Sequence, residues 1–182
     1  MNMHLLPILI IGTVSLCTAQ DQANRTPFAD FEDRVAAYMK IHKAAQSDMG
    51  GLSPTKSPEQ IDAKKDSLAE GVRAKRSTAI QGDVFTPMIA DEFRRVIAID
   101  VKRRDKRIRQ SIRSGEPVMA KVRVNGSYPE GLPLQTMPPS LLTTFPKLPS
   151  ELDYRLIGTT LVLRDVTANL IIDFIPNAIA IH

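Results

Sequence analysis

The sequence predicts a single α+β domain: three N-terminal helices packed on a small, mainly antiparallel C-terminal sheet, with a Pro-rich ordered loop between. Three observations lead there. Apolar residues recur at helical spacing from Thr26 to Arg113,. Beyond Pro117 the period drops to two,. Helix-like segments all precede strand-like ones, an order that favours α+β over an alternating α/β architecture.

The chain opens on a segment set apart from that domain. Leu5 to Val14 is apolar except for Pro7, Gly12 and Thr13, and Cys17-Thr18-Ala19 places small residues after it. This is the pattern of an export signal cleaved near Ala19. Residues 1–19 are therefore expected to be a signal peptide and residues 20–182 the single domain, periplasmic or extracellular after cleavage. Cleavage removes the one cysteine, so the remaining chain forms no internal disulfide,. It leaves about 160 residues, enough for one ordinary core.

Thr26-Pro27 opens the first helix, and Phe28, Phe31, Val35, Tyr38 and Ile41 share one face of it, up to Gly50-Gly51,. Ser57-Pro58-Glu59-Gln60 has the form of a capping box,. The helix behind it turns Ile61, Leu68 and Val72 inward, keeps Lys64, Lys65, Glu70, Arg73 and Arg76 mostly solvated, and meets a stop at Gly82. Thr86-Pro87 opens the third helix, with Asp91 and Glu92 near the positive end of its dipole. Ile89, Phe93, Val96, Ile97, Val101, Ile108 and Ile112 form its stripe,. Run to Arg113, that helix holds about 27 residues and spans roughly 40 Å, before Gly115 and Pro117 stop it.

Val118, Ala120, Val122 and Val124 alternate with polar neighbours, predicting a strand that ends at the Asn125-Gly126 turn,. Tyr128 to Pro149 interleaves prolines with Leu132, Leu134, Met137, Leu141, Leu142, Phe145 and Leu148. That many large apolar residues predict an ordered loop across the core, a polyproline-type docking segment being the alternative. Tyr154 to Ile157 and Thr160 to Arg164 flank a Gly158-Thr159 hairpin turn. Leu170 to Ile175 is the last strand, with Leu170, Ile172 and Phe174 expected on one face and Ile171, Asp173 and Ile175 on the other,.

Gly82-Asp83-Val84-Phe85-Thr86-Pro87 and the block from Leu152 to Pro176, centred on Leu163-Arg164-Asp165 and Ala168-Asn169-Leu170-Ile171-Ile172-Asp173, resemble a group of small exported bacterial proteins with no assigned activity. The resemblance covers the chain from about Phe28 onward. It implies export and one unified domain, and it carries over no site residue.

Chemistry-bearing residues are sparse. The domain has two histidines, His42 and His182, and no cysteine, so neither a metal nor any other cofactor is predicted,. Asp165 and Asn169 are read as turn formers in preference to oxygen ligands. Asp153 and Asp173, which could meet across the sheet, are read as surface charge. No Gly-x-Ser-x-Gly elbow marks a nucleophile. The formal net charge is +4, yet nine basic residues and two acids lie between Arg94 and Arg113, so the rest of the chain is net acidic. Arg95, Lys102, Lys106, Arg109 and Arg113 fall along one line of that helix, a candidate face for an anionic ligand. Without interleaved aromatics the row lacks a specific nucleic-acid signature. Asp100 and Arg104 interrupt the apolar stripe four residues apart, a candidate buried ion pair. The sequence thus favours an exported, non-enzymatic envelope protein, binding or structural. Its partners would be anionic lipid, glycolipid or another envelope protein. The alternative is an envelope hydrolase or transferase whose site cannot be recognised from sequence.

Overall fold

A computed structural model describes residues 26–50, 57–103, 121–129 and 137–180. Helices α1 (Pro27–Asp48), α2 (Pro58–Lys75) and α3 (Pro87–Arg103) each open on the proline after Thr26, Ser57 or Thr86. Proline suits the first helical position because the N–H it lacks would be unpaired there anyway. Thr26 Oγ1 accepts the Ala29 N–H at 3.3 Å, and Thr86 Oγ1 that of Ile89 at 3.5 Å. Ser57 departs from the expected capping box. Its hydroxyl donates to the Glu59 carboxylate and makes no cap bond to a backbone N–H. A charge-assisted bond outcompetes a neutral one. Asp91 and Glu92 stand past the first turn of α3 and pair with arginines instead.

After the short helix α4 (Pro139–Thr144) come β1 (Leu152–Ile157), β2 (Thr160–Asp165) and β3 (Leu170–Ile175), an antiparallel meander in the order β1-β2-β3. This is the predicted α+β arrangement. Of the strand expected over Val118–Val124, residues 118–120 lie outside the described residues, and 121–124 form no strand. The chain instead meets the β3 edge just beyond. Asn125 N–H donates to Ile171 O at 2.9 Å, Ile171 N–H to Gly126 O at 2.8 Å, and Tyr128 N–H to Asn169 O at 2.9 Å. Asn125 adopts φ 59, a left-handed conformation that asparagine tolerates, and turns the chain there,.

The faces of β3 differ from simple alternation. Leu163 pairs with Asp173 while Arg164 pairs with Ile171, leaving Ile172 as the extra residue of a bulge,. Leu170, Ile172 and Ile175 join the main core, as Asp173 turns to the same side, while Ile171 and Phe174 pack on the opposite face with Val162, Ile157 and Tyr128. One extra residue restores to the helix side what alternation would have sent away.

The main core joins one face of the sheet to all three long helices. Phe93 is its centre. Its ring lies 4.6 Å from Phe145, 5.2 Å from Phe28, Phe31 and Phe85, and 5.8 Å from Tyr154. α1 and α2 cross where a Cβ on Gly71 would stand 3.2 Å from Ala45 Cβ, so glycine permits this approach. Along α1 the buried stripe is Phe31, Val35, Tyr38, Met39, His42 and Ala45, with Ile41 half-buried. On α2, Leu68 and Val72 are buried as expected, but Ile61 is exposed in the first turn. In the Pro-rich loop Met137, Leu141 and Phe145 are buried and Leu148 packs against the core, whereas Leu142 is exposed. Leu132 and Leu134 lie outside the described residues.

Replacing Phe93 with alanine removes the ring that five others contact. It is expected to cost about 3–5 kcal/mol of unfolding free energy, read from urea denaturation. A loss below about 1 kcal/mol would show that the ring cluster does not organise the core.

Candidate functional site

The predicted basic face is only partly within the described residues. Arg95 is exposed and tied to Glu92 at 2.6 Å; the bond lowers the Glu92 pKa and raises that of Arg95. Arg94 is bound to Asp91 at 2.9 Å and also donates to Pro176 O at 3.2 Å. Lys102 is exposed in the last described turn of α3 with no ion pair among the described residues, and so is Arg103. Lys106, Arg109 and Arg113 lie outside the described residues. Asp100 is half-buried and lines a cleft of about 410 Å³ with Arg95, Ile99, Arg103 and Thr143; its expected partner Arg104 is outside the described residues. Among those residues no helix is long and apolar enough to cross a membrane, and no cluster of metal-ligating side chains is present.

The structure brings together a different set that the sequence reading left apart. Asp165, at the end of β2, is fully buried, as are Tyr38 and His42 on α1. Asp165 Oδ2 accepts from the Tyr38 hydroxyl at 2.6 Å and lies 2.6 Å from His42 Nδ1, while Oδ1 accepts the Ala168 N–H at 2.8 Å. Turn formation was foreseen for Asp165, and the Ala168 bond performs it. The pairing with α1 was not. A signal existed: His42 sits four residues after Tyr38 on the apolar stripe, and Leu161, Leu163 and Asp165 alternate onto the core face,.

Burial pushes the Asp165 carboxyl up, but the bonds from His42, Tyr38 and the Ala168 N–H outweigh it and hold the pKa below its ordinary 3.8. The Asp165 hydrogen bond raises His42 above its ordinary 6.5 against the opposing effect of burial. Burial and the Asp165 charge push the Tyr38 hydroxyl far up, so it stays a proton donor. Arg76, also expected in solvent, is buried 5.1 Å from the Tyr38 ring centre. It donates to Asn125 Oδ1 at 3.1 Å and Ile172 O at 3.3 Å, while Asn125 Nδ2 donates back to Arg76 O at 2.8 Å.

A second buried carboxylate corrects the surface reading of Asp173. Its oxygens accept the N–H groups of Gly82 at 3.1 Å, Val84 at 2.9 Å, Phe85 at 2.8 Å and Phe174 at 2.8 Å. Gly82, expected as a helix stop, adopts φ +96 and so presents its N–H to the acid; α2 has already ended at Lys75. Asp153 never meets Asp173. It stands on the opposite face, held by Arg155 at 2.7 Å and Arg164 at 3.1 Å. Arg164 also lies 4.8 Å from the centre of the Tyr128 ring, whose buried hydroxyl has no hydrogen-bond partner among the described residues.

Clefts of about 300–430 Å³ open on the described residues, and those lined by Asp153, Asp83, Lys102 and Asp100 leave out His42, Asp165 and Tyr38. One of them, about 430 Å³, lies beside β1 between Met137, Leu148, Asp153 and Arg155. Comparison with protein-family models, with curated proteins and with solved structures found no match.

Two expectations follow. The raised His42 value means its contribution to stability is full below 6.5 and is lost as pH rises through the folded-state value,. The lowered Asp165 value means its contribution is present above 3.8 and is lost as pH falls through the folded-state value,. Urea midpoints should therefore fall as pH rises from about 6 to 9, and His42→Gln should flatten that slope while lowering the acid plateau. An unchanged slope would show that the pair does not titrate as described. Asp173→Asn sets an amide donor against backbone donors, and leaving buried N–H groups unpaired costs about 1–3 kcal/mol each. A variant within about 0.5 kcal/mol of the parent would contradict the assigned role.

Proposed function

We propose that this is an exported, non-enzymatic envelope-binding protein that contacts anionic partners through the basic end of α3. The observation that carries this reading is where positive charge goes unpaired. Arg94 and Arg95 are neutralised within their own helix, whereas Lys102 and Arg103 project into solvent without an ion pair among the described residues. The sequence directly beyond them adds Arg104, Lys106, Arg107, Arg109 and Arg113 against Asp105 alone. Clustered cations of this density attract phosphate and carboxylate headgroups over a Debye length of about 10 Å at 0.1 M salt. Export is supported by the apolar run from Leu5 to Val14 and the small residues before Ala19,.

Vesicles of phosphatidylcholine with and without phosphatidylglycerol test the binding. Adsorption should require the anionic lipid and weaken steeply with salt. Changing Lys102, Lys106 and Arg109 together to glutamine should abolish it, with little loss of stability because exposed charges contribute about 0–1 kcal/mol each. Salt-independent adsorption, or none at low salt, overturns the reading. Intact-mass measurement of the secreted or periplasmic product tests export separately, with a species beginning after Ala19 expected and one retaining Met1 contradicting it.

A further inference from the structure

The geometry points to a binding slot for a single-chain anionic lipid between α3 and the chain that follows β3. The inference deepens the reading above, on which it rests for the sign of the ligand's charge. The slot encloses about 300 Å³, the small end of the range for ligand sites. Its floor is made by Ile97 and Val101 of α3 and by Ala178 and Ile179, all buried, so nothing polar from these side chains faces a guest. Ala98, Lys102 and Ala180 are exposed at its mouth.

Both walls are tied in place before any ligand arrives. Asn177 turns the chain at φ 51, and Ile179 N–H donates to Thr159 O at 3.2 Å, fastening the outer wall to the β1–β2 hairpin. Arg94 donates to Pro176 O at 3.2 Å and so bridges α3 to the start of that wall. A pre-formed apolar slot loses little on binding to ordering its own side chains.

The occupant follows from the two ends. Ile97, Val101, Ala178 and Ile179 take methylene groups and offer a headgroup no partner,. Of the polar residues that also line the slot, Arg94 is already bound to Asp91 and Pro176 O, while Asn177 turns the outer wall. The mouth offers the Lys102 ammonium, next to Arg103 in the chain and ahead of the run of basic residues in sequence. An acyl chain with an anionic headgroup satisfies both: the chain lies along Ile97 and Val101, and the headgroup meets Lys102. The slot admits one chain, which selects a single-chain amphiphile over a two-chain lipid.

Methyl NMR of the full chain, titrated with dodecanoate below its micelle concentration, tests this. The Ile97, Val101 and Ile179 methyl resonances should shift, and octanoate should bind more weakly by roughly fourfold per methylene removed. Lys102→Gln should weaken dodecanoate several-fold while leaving neutral dodecyl maltoside unchanged. Ala98→Phe, at an exposed lip position, should block the slot and weaken dodecanoate at least tenfold without altering the melting temperature; Ala180→Phe is the second blocking variant. Absent methyl shifts, or equal affinity for dodecanoate, dodecyl maltoside and dodecyltrimethylammonium, overturn the slot. Failure here leaves salt-sensitive vesicle adsorption intact, whereas failure of the basic-row reading abolishes adsorption and leaves the methyl shifts.

Discussion

A carboxylate leaves water only if other groups replace its hydration, and the helix-facing side of this sheet carries two that are fully buried,. Asp165 takes its replacements from α1, through Tyr38 and His42, and Asp173 takes them from the backbone of residues 82–85 between α2 and α3. Acids and partners are far apart in sequence. The sheet therefore cannot acquire its native polar contacts until the helical half docks, and docking in another register leaves two charges unpaired. Apolar packing around Phe93 supplies most of the attraction, but leucines and phenylalanines tolerate small slips. The carboxylates do not, because stripping a buried carboxylate of its donors is far more costly than shifting an apolar contact.

Much of the architecture is visible in the sequence because it depends on local chemistry. Thr26-Pro27, Ser57-Pro58 and Thr86-Pro87 mark three helix starts, and Gly158-Thr159 marks the hairpin. The apolar stripe of α3 is buried through Val101 as its spacing requires. Long-range requirements are what local patterns conceal. Period-two reading places Asp173 opposite Ile172, and nothing in Leu-Ile-Ile-Asp-Phe-Ile announces the bulge that brings both to one side. Gly82 reads as a helix stop because glycine commonly does that work; its need for positive φ arises from a carboxylate 91 residues away. His42 was more accessible to inference, since a polar residue in step with Phe31, Val35 and Tyr38 implies a buried partner.

The arginines divide by function along the same lines. Arg76 is buried with its donors directed to Asn125 and Ile172, and Arg73 beside it donates to Asn125 O at 3.0 Å and Ser127 Oγ at 3.0 Å. Together they hold the 125–128 segment along the β3 edge, which would otherwise present unpaired backbone groups. Arg155 and Arg164 converge on Asp153 and brace the opposite face. These guanidiniums act as multi-pronged internal fasteners, a use suited to a planar fork of donors. At the last described turn of α3 the pattern reverses, and Lys102 and Arg103 stand in solvent.

Perturbed protonation commonly marks functional sites, which makes the His42–Asp165 pair the natural place to look for chemistry. Its geometry points inward. Three donors already surround the Asp165 carboxylate, and Tyr38 holds its own proton firmly because burial and the neighbouring charge oppose ionisation. These bonds tie β2 to α1, and the shifted pKa values follow from the fold the pair secures. The recognition we propose depends instead on groups whose bonding capacity the described fold has not consumed. The exposed end of α3 has such groups, and the apolar slot beside it supplies the dry surface that a bare cluster of cations lacks.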